Sequence, residues 1–500
     1  MVNTLTRATR HRHLASRRRR TRGWLAALAL TAATLLAACG GGEPELPAAV
    51  TNPVTIRIAV FRGAETTALF RIIPEWEHIT GNRVELGIVD RATGERAVAT
   101  DYVTYRDAII ENAEENLANY DVVIIDDPWM PYLAGGGKLT PLSPFGYQTD
   151  LDLISGSASL GMWPPPFGPL PPDAVGVPRG AETYALPFVG NVMMLWYRAD
   201  VIAEPETIDD LTQLLRNPDP AYIGSAGIAP SNNPHVFLSW LASRGGDVFD
   251  RDWRAAPLRS SIALDAFDEY LREASRLRIP FSEFAPERYE PHARMLDGTA
   301  AAAVAWAADA QLVLTSAVSD QIHVTQFPVG RKSSTLTGNW LLGIPSDASN
   351  PEAGFDFIKW ANSSQIQKTS ALLGVPPVRL SLYSDRELIS RFPWLPEVSH
   401  ALQSGYIRPR VPAWDVVEGV IGCALDRSFS RLSTLDPDNP ANTEAFETVS
   451  REELLRAADD IESVMEGWGY YRGEEFWRTS RTERIQGDPR DEWTCTAVAP

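Results

Sequence analysis

Short apolar runs alternate with amphipathic segments over the first third of the chain. Val54–Val60 and Arg83–Val89 have the pattern of two strands, and Val122–Ile125 has that of a third strand buried on both faces. Apolar residues recur at helical spacing between these runs, and Gly81 is predicted to end the first of the two helices. The order β-α-β-α-β predicts parallel strands with helices covering the faces of the sheet.

The third predicted strand ends abruptly in Asp126, Asp127, Pro128 and Trp129. Open α/β sheets bind ligands at the C-terminal ends of their strands. We therefore interpret Asp126–Trp129 as the lip of a binding cleft. A solvated turn with a packing tryptophan is the alternative, because turns are rich in Asp and Pro.

Two later segments interrupt the regular pattern. Trp163–Pro178 contains seven prolines and no periodicity, which predicts an irregular excursion on the surface. Ala185–Arg198 is apolar but broken by Pro187, Gly190 and Asn191, so it is a candidate for a crossing between domains. Beyond Gly374 the pattern is mostly helical.

The composition predicts a soluble protein of two or three domains. The chain has 500 residues, of which 44% are hydrophobic and 22% charged. The first 38 residues contain eight arginines and no acids; the remainder has 38 basic against 64 acidic residues, a net charge of −26. A surface this acidic argues against nucleic acid and anionic lipid as partners.

The N-terminal segment has the layout of an export signal. Arg17–Arg20 precede Trp24–Ala38, an apolar run of 15 residues, whereas a spanning helix needs about 20. The following Leu36-Ala37-Ala38-Cys39 resembles the bacterial lipobox, in which Cys39 becomes the lipid-modified first residue. We expect residues 1–38 to be a lipoprotein signal peptide and residues 39–53 a flexible tether. A free thiol after an ordinary signal is the alternative, and the general and twin-arginine export routes both stay open.

Cys423 and Cys495 are the other two cysteines. In an exported protein such a pair predicts a disulfide that fixes the C-terminal tail, with two buried thiols as the alternative.

Several sequence motifs that carry enzymatic chemistry are absent from the sequence. The five histidines beyond the signal are scattered, and there is no zinc-binding pattern, nucleophile elbow or P-loop. Asp126 and Asp127 are not a convincing glycosidase pair, because adjacent residues on a strand point to opposite faces. We expect no enzymatic activity, no cofactor and no metal.

Seven segments together resemble the extracellular (family 1) solute-binding proteins of bacterial ABC importers, in particular the sugar-binding group related to maltose-binding protein. They occur in the family's order over most of residues 54–420: WEHITGNRVEL, DVVIIDDPWMPYLAGGGKLTPL, ETYALPFVGNVMMLWYRAD, SWLASRGG, MLDGTAAAAVAW, TGNWLLGIPSDASNPEAGFDFIKWA and GVPPVR. The tail after about Asp436 is longer than the family would have.

The resemblance implies an α/β, two-lobe periplasmic-binding-protein-like fold, in which each lobe is a mostly parallel sheet flanked by helices and a cleft lies between the lobes. Lobe one would comprise residues 54–190 and 327–365, and lobe two residues 191–326 and 366–500. The chain would cross near Pro187–Val192, Gln326–Val329 and Gln365–Pro377, where Pro and Gly suit hinge positions.

A sugar site needs carboxylates, amides or guanidinium groups in the plane of the sugar and aromatic rings against its faces. Candidates in or near lobe one are Arg62, Glu65, Asp126, Asp127, Trp129 and, at the crossing, Asn191. Further candidates are Trp306, Asp309, Arg379, Arg410 and Trp414. Gly338, Asn339 and Trp340 resemble the family's Gly-Gly-Trp, although Asn339 replaces a glycine. Core packing is the alternative for each tryptophan, and surface ion pairing for each arginine.

The family's function is then the leading hypothesis: a monomeric receptor, anchored through Cys39 outside the bacterial cell membrane, that binds a mono- or oligosaccharide by hinge closure and delivers it to an ABC transporter permease. A polyamine, osmolyte or metal chelate as the solute, and a sensing or adhesive surface lipoprotein, are the alternatives.

Overall fold

The computed structural model describes residues 52–174, 176–216, 234–276, 295, 301–310, 316–328, 330–473 and 495. The signal peptide, Cys39 and most of the tether lie outside these residues, so those predictions stay predictions. Within the described ranges, no helix combines the length and the apolar character that crossing a membrane requires.

Two separate sheets organise this part of the chain. The strands are β1 (Thr55–Ala59), β2 (Arg83–Leu86), β3 (Ile88–Val89), β4 (Arg96–Ala97), β5 (Val122–Asp126), β6 (Met162–Trp163), β7 (Glu182–Thr183), β8 (Ala185–Val189), β9 (Met193–Arg198), β10 (Ala302–Trp306), β11 (Ile322–Thr325) and β12 (Trp340–Gly343). The larger sheet has the order β2-β1-β5-β12-β8, and the smaller has the order β10-β9-β11. The strand pairs β3-β4 and β6-β7 form two short ribbons.

The helices accompany these sheets in chain order. They are α1 (Leu69–Thr80), α2 (Tyr102–Glu115), α3 (Met130–Gly135), α4 (Ser155–Leu160), α5 (Ile208–Arg216), α6 (Pro234–Ser243), α7 (Ser261–Arg276), α8 (Pro351–Ala361), α9 (Ser364–Leu372), α10 (Arg386–Arg391), α11 (Leu395–Ser404), α12 (Trp414–Leu432) and α13 (Thr443–Gly467). Gly81, at a φ of 81°, ends α1 as predicted.

The larger sheet and the helices on its faces form what we call the first lobe. Strands β1, β2 and β5 are parallel, as the sequence predicted, and β12 lies antiparallel between β5 and β8. One predicted strand is split: β2 ends at Leu86 because Gly87 has a φ of 120° and passes close to the backbone of Ala97. Asn350 precedes α8, and its side-chain amide donates to the Thr55 carbonyl and does not cap the helix.

The smaller sheet and its surroundings form the second lobe, and here the prediction of a mostly parallel sheet is wrong. Both β10 and β11 run antiparallel to β9. Burial does follow the residue pattern: Met193, Leu195 and Tyr197 join one apolar cluster, whereas Met194 and Trp196 join another. A strand buried on both faces looks the same in sequence whichever way its neighbours run.

The chain passes directly from one sheet to the other between β8 and β9. Gly190 lies in this passage, and a Cβ there would approach the carbonyl oxygen of Pro377 to 2.6 Å. The return from β11 to β12 comes later than the predicted Gln326–Val329, because Phe327 and Leu336 still pack in the second-lobe core. The remaining lobe boundaries stay predictions.

The C-terminal helices belong to the second lobe. Helices α12 and α13 pack on each other and on α7. A disulfide joins Cys423 of α12 to Cys495, with 5.8 Å between the two Cα atoms. At the end of α13, the ring of Trp468 lies 6.3 Å from that of Tyr132 in the first lobe. The segment that follows Asp436 therefore contacts both lobes.

Candidate functional site

The two aspartates at the end of β5 share one partner, Arg408, in the segment between α11 and α12. Arg408 Nη2 lies 2.7 Å from Asp126 Oδ1 and 3.1 Å from Asp127 Oδ2, and Arg408 Nε donates to Asp127 Oδ1 at 3.3 Å. We expected adjacent side chains to diverge, but Asp127 already begins the 3-10 turn Asp127–Trp129. Because the strand's alternation ends there, both carboxylates reach the same guanidinium.

This charge cluster is removed from water, since only 2% of Arg408 is exposed. Burial raises the pKa of Asp126 to about 6, and the charge of Arg408 limits that rise. Burial disfavours the charged Arg408, but Asp126 and Asp127 nevertheless hold its pKa well above its usual value. Losing one partner of such a cluster leaves an uncompensated buried charge.

From Arg408 the contacts continue into the second lobe. Its Nη1 lies 3.9 Å from Glu418 Oε2. Glu418 in turn lies 3.1 Å from Nε2 of His235, and the His235 ring is 5.5 Å from that of Trp306, edge to face. Burial opposes the ionisation of Glu418, but His235 and Arg408 lower its pKa below the usual value, so Glu418 is a carboxylate at neutral pH.

First-lobe residues link Asp126 back to Trp306. The Tyr102 hydroxyl donates to Asp126 Oδ2 at 2.9 Å, and its ring meets Trp340 at 6.1 Å. Two residues before Trp340, Gly338 lies so close to Trp306 that an added Cβ would be 2.6 Å from the indole. We call this set of residues from both lobes the junction circuit: Trp306, His235, Glu418, Arg408, Asp126, Tyr102, Trp340 and Gly338.

Asn191, in the passage between the sheets, joins the circuit to Glu65. Its side-chain oxygen accepts from the Ala308 amide at 3.1 Å, and its Nδ2 donates to Glu65 Oε1 at 3.4 Å. Asp309 accepts from the Trp306 amide at 3.2 Å. Burial, reinforced by the charge of Asp126, raises the pKa of Glu65 to about 7.

Three other predicted residues lie next to the circuit. The Asn339 amide donates to Asp127 Oδ2 at 2.9 Å, so this backbone group is already bonded. Arg410 Nη1 donates to the Asp127 carbonyl at 2.9 Å, and burial lowers the pKa of Arg410 to about 10. The buried Trp129 ring packs edge to face on Trp340, with 5.9 Å between ring centres.

The remaining predicted residues lie elsewhere or deeper. Trp414 is fully buried and packs near Phe249. Arg379 is ion-paired with Asp150 and Asp152, and its Nε donates to the Asn362 carbonyl. The exposed Arg62 lies over the Phe70 ring at 5.7 Å.

Sequence reasoning missed four members of the circuit: Arg408, Tyr102, His235 and Glu418. Arg408 had a usable signal, because it is two residues before the predicted Arg410 in an extended segment through Pro409, where side chains i and i+2 share a side. Glu418 follows Trp414 by one helical turn. We find no comparable local signal for Tyr102 or His235.

The site combines flat aromatic rings with carboxylates, an amide and guanidinium donors, which suits a polar solute with apolar faces. Three or more His, Cys, Asp or Glu side chains arranged to hold a metal ion do not occur among the described residues.

The two sheets, with polar groups meeting where the chain passes between them, define a two-lobe α/β solute-binding protein. The model of the bacterial extracellular solute-binding protein family matches residues 96–368, and the chain belongs to that family. Proteins of this family bind substrates for transport and are not enzymes. The resemblance stated from the sequence is thereby confirmed.

Individual relatives agree with this assignment. The maltotriose-binding protein of Pyrococcus abyssi is 24% identical over 350 residues, which cover 67% of this chain and 70% of the relative. A probable amino-acid ABC transporter periplasmic-binding protein of Sinorhizobium fredii is 25% identical over 301 residues, or 51% and 68% of the two chains. The maltose-bound T. maritima MalE3 structure has a TM-score of 0.66 at 20% identity, covering 82% of this chain and all of the other.

Proposed function

We propose that this protein captures a mono- or oligosaccharide at the junction circuit by closure of its two lobes. The observation that carries the proposal is the contact of Gly338 with Trp306, which brings the Trp306 ring next to a segment that continues into Trp340 of the first lobe. The carboxylates of Glu65 and Asp126 and the amide of Asn191 lie in the same network. Rings would stack on the C–H faces of a sugar, and the polar groups would bond its hydroxyls.

Closure would follow from the division of these groups between the lobes. Asp126, Tyr102 and Trp340 belong to the first lobe, whereas His235, Trp306 and Glu418 belong to the second. A ligand that contacts both sets binds the closed form more tightly and shifts the population toward it. We further propose that Cys39 anchors the protein to the bacterial membrane and that the closed form delivers its ligand to an ABC transporter permease.

A thermal-shift screen with carbohydrates and polyols tests the proposal. A ligand at 100 times its dissociation constant stabilises the protein by about 2.7 kcal/mol. We expect at least one sugar to raise the melting temperature and to lower the radius of gyration in X-ray scattering. Trp306→Ala should abolish both responses. Trp394→Ala removes another half-buried second-lobe tryptophan outside the circuit and should keep them. Failure of every sugar to bind and compact the protein would contradict the proposal.

A cationic solute such as a polyamine is the second candidate. Among the described residues, the junction circuit and the side chains joined to it contain five carboxylates and two guanidinium groups. The carboxylates are those of Glu65, Asp126, Asp127, Asp309 and Glu418, and the guanidinium groups are those of Arg408 and Arg410. A cation would then bind less tightly as salt is added, whereas a neutral sugar would be nearly indifferent. The Debye screening length is about 14 Å at 50 mM NaCl and about 4 Å at 500 mM NaCl. Affinities titrated at these two salt concentrations therefore distinguish a cationic solute from a neutral sugar.

A further inference from the structure

The proline-rich segment lines a cavity next to the junction circuit. Pro165, Pro166, Phe167 and Pro169 contribute one side of a space of about 200 Å³. The second-lobe loop Asp247–Trp253 contributes another side, and the segment Tyr406–Arg410 completes it. Arg408 belongs both to this lining and to the circuit, so the cavity adjoins the proposed ligand site.

The walls of the cavity are mostly flat and apolar. Phe249 and Trp253 are buried in the second-lobe core, whereas Phe167, in the same lining, is 68% exposed. An exposed phenylalanine beside two buried rings leaves an aromatic face available to a ligand. The volume is smaller than the roughly 300–1,000 Å³ of pockets for drug-sized ligands, which suits a single ring.

The polar groups of the lining supply both donors and acceptors. Buried Arg410 donates through its two Nη atoms to the carbonyls of Asp127 and Leu160, and its Nε has no partner within the described residues. Asp247 Oδ1 accepts from the Tyr406 hydroxyl at 2.7 Å, and Asp250 Oδ1 accepts from the amides of the following turn. Both aspartates line the cavity, and the hydrogen bonds found for them among the described residues are all to their Oδ1 atoms.

The two sides of the cavity are held together by Trp253. Its Nε1 donates to the Leu170 carbonyl at 2.9 Å, which joins the second-lobe loop to the proline-rich segment. Its backbone φ is 60°, a strained conformation for a bulky residue that is found most often at functional sites. The surrounding contacts therefore hold Trp253 in the cavity lining although its backbone conformation is unfavourable.

We propose that this cavity is a subsite for a further sugar ring, so that the ligand of this protein is an oligosaccharide that extends from the junction circuit to the proline-rich segment. Phe167 and Trp253 would flank the ring, Arg410 Nε would donate to one of its oxygens, and Asp247 and Asp250 would accept from its hydroxyls. The inference rests on the proposed function, and it gives Trp163–Pro178 a role in selecting ligand length.

The test uses the mature full-length chain and the glucose, mannose and xylose series, each from monomer to tetramer, by isothermal titration calorimetry. In the wild type, affinity should rise at least tenfold at one step of one series. Phe167→Ala should reduce affinity for the longer members about five- to tenfold and leave the shorter ones unchanged, and Phe167→Trp should restore it. Leu151→Ala, which removes an apolar side chain that is 89% exposed and outside the lining, should bind every member like the wild type.

Three results would overturn the inference while leaving the proposed function in place. The first is a wild-type affinity that does not rise with sugar length. The second is a Phe167→Ala affinity equal to that of the wild type at every length. The third is a Phe167→Ala variant that loses the same affinity for short and long sugars. If a phenyl glycoside binds more tightly than the monosaccharide and the disaccharide does not, the cavity binds an aromatic substituent and not a sugar ring. If no sugar binds the wild type at all, both the proposed function and this inference fail.

Discussion

The two halves of the junction circuit are built in different ways. In the first lobe, Asp126 ends β5, and Glu65, which Asn191 joins to the circuit, follows the C-terminal end of the neighbouring parallel strand β1. The two carboxylates therefore meet at one edge of one sheet. In the second lobe, His235, Trp306 and Glu418 come from α6, β10 and α12, which share no such edge.

The difference shows which part of the site depends on long-range packing. Sheet topology alone places Glu65 and Asp126. The second-lobe groups are instead positioned by contacts between side chains far apart in sequence. Arg408 links one of them, Glu418, to Asp126 and Asp127 of the first lobe. Removing Arg408 should therefore lower the free energy of unfolding most. Removing the partly exposed ion pair between Asp415 and Arg106 should lower it least.

Arg408→Met should lower the free energy of unfolding by about 3–5 kcal/mol, because it leaves Asp126 and Asp127 buried without their partner. Urea unfolding followed by tryptophan fluorescence measures this. Arg91→Met removes the arginine of an exposed first-lobe ion pair with Glu111 and Glu115, and it should leave the unfolding midpoint nearly unchanged. Equal midpoints for the two variants would show that Arg408 does not hold the circuit together.

The sequence predicted the first lobe better than the second for the same reason. The alternation of strands and helices in the sequence predicts that the first-lobe strands are parallel. The polar residues that follow the third strand predict the cluster at Asp126. The strand directions around β9 do not, since its burial pattern is the same for parallel and antiparallel neighbours. Nor did any local pattern indicate that Tyr102 and His235 would reach the site, because both are fixed by partners far along the chain.

Glu65 should make stability fall as the pH rises. Its folded-state pKa of about 7 is above the ordinary value of 4.5, so its contribution is fully present below pH 4.5 and is lost as the pH rises through 7. The loss should be about 1–3 kcal/mol. The raised pKa of Asp126 likewise makes stability fall as the pH rises, with the loss complete once the pH has passed about 6.

Melting temperatures between pH 5 and pH 8.5 check this expectation. Glu65→Gln should flatten the decline between pH 6 and pH 8. Glu75→Gln, on the exposed side of α1, should leave it as in the wild type. A decline that persists unchanged in Glu65→Gln would mean that another group titrates in this range.

Gly338→Ala addresses the second-lobe half of the comparison. The added Cβ would lie 2.6 Å from the outer atoms of the Trp306 indole, so the ring must move away from His235. Because the tip of a side chain can shift, we expect a stability cost of only about 1 kcal/mol. Sugar affinity should nevertheless fall at least fivefold, as measured by calorimetry.

The matched control for this substitution is Gly156→Ala in α4. The nearest atom to its added Cβ is the Leu402 carbonyl oxygen at 3.4 Å, an ordinary contact, and alanine is favoured in a helix by about 0.5–1 kcal/mol. Gly156→Ala should therefore be neutral or stabilising and bind sugar normally. If Gly338→Ala also binds normally, the position of the Trp306 ring does not determine affinity.

Asp415→Asn tests the rim, where the lobes meet in partial contact with water. Asp415 of α12 lies 3.2 Å from Arg106 of α2, and both side chains are roughly one-fifth exposed. We expect a loss of at most about 1 kcal/mol at low salt. Because salt screens such a pair, the melting temperatures of wild type and variant should converge by 0.5 M NaCl. Asp459→Asn, which breaks an exposed pair with Arg259 inside the second lobe, provides the comparison. A difference for Asp415→Asn that persists in high salt would place this pair among the buried contacts with Arg408 and would remove the distinction between rim and centre.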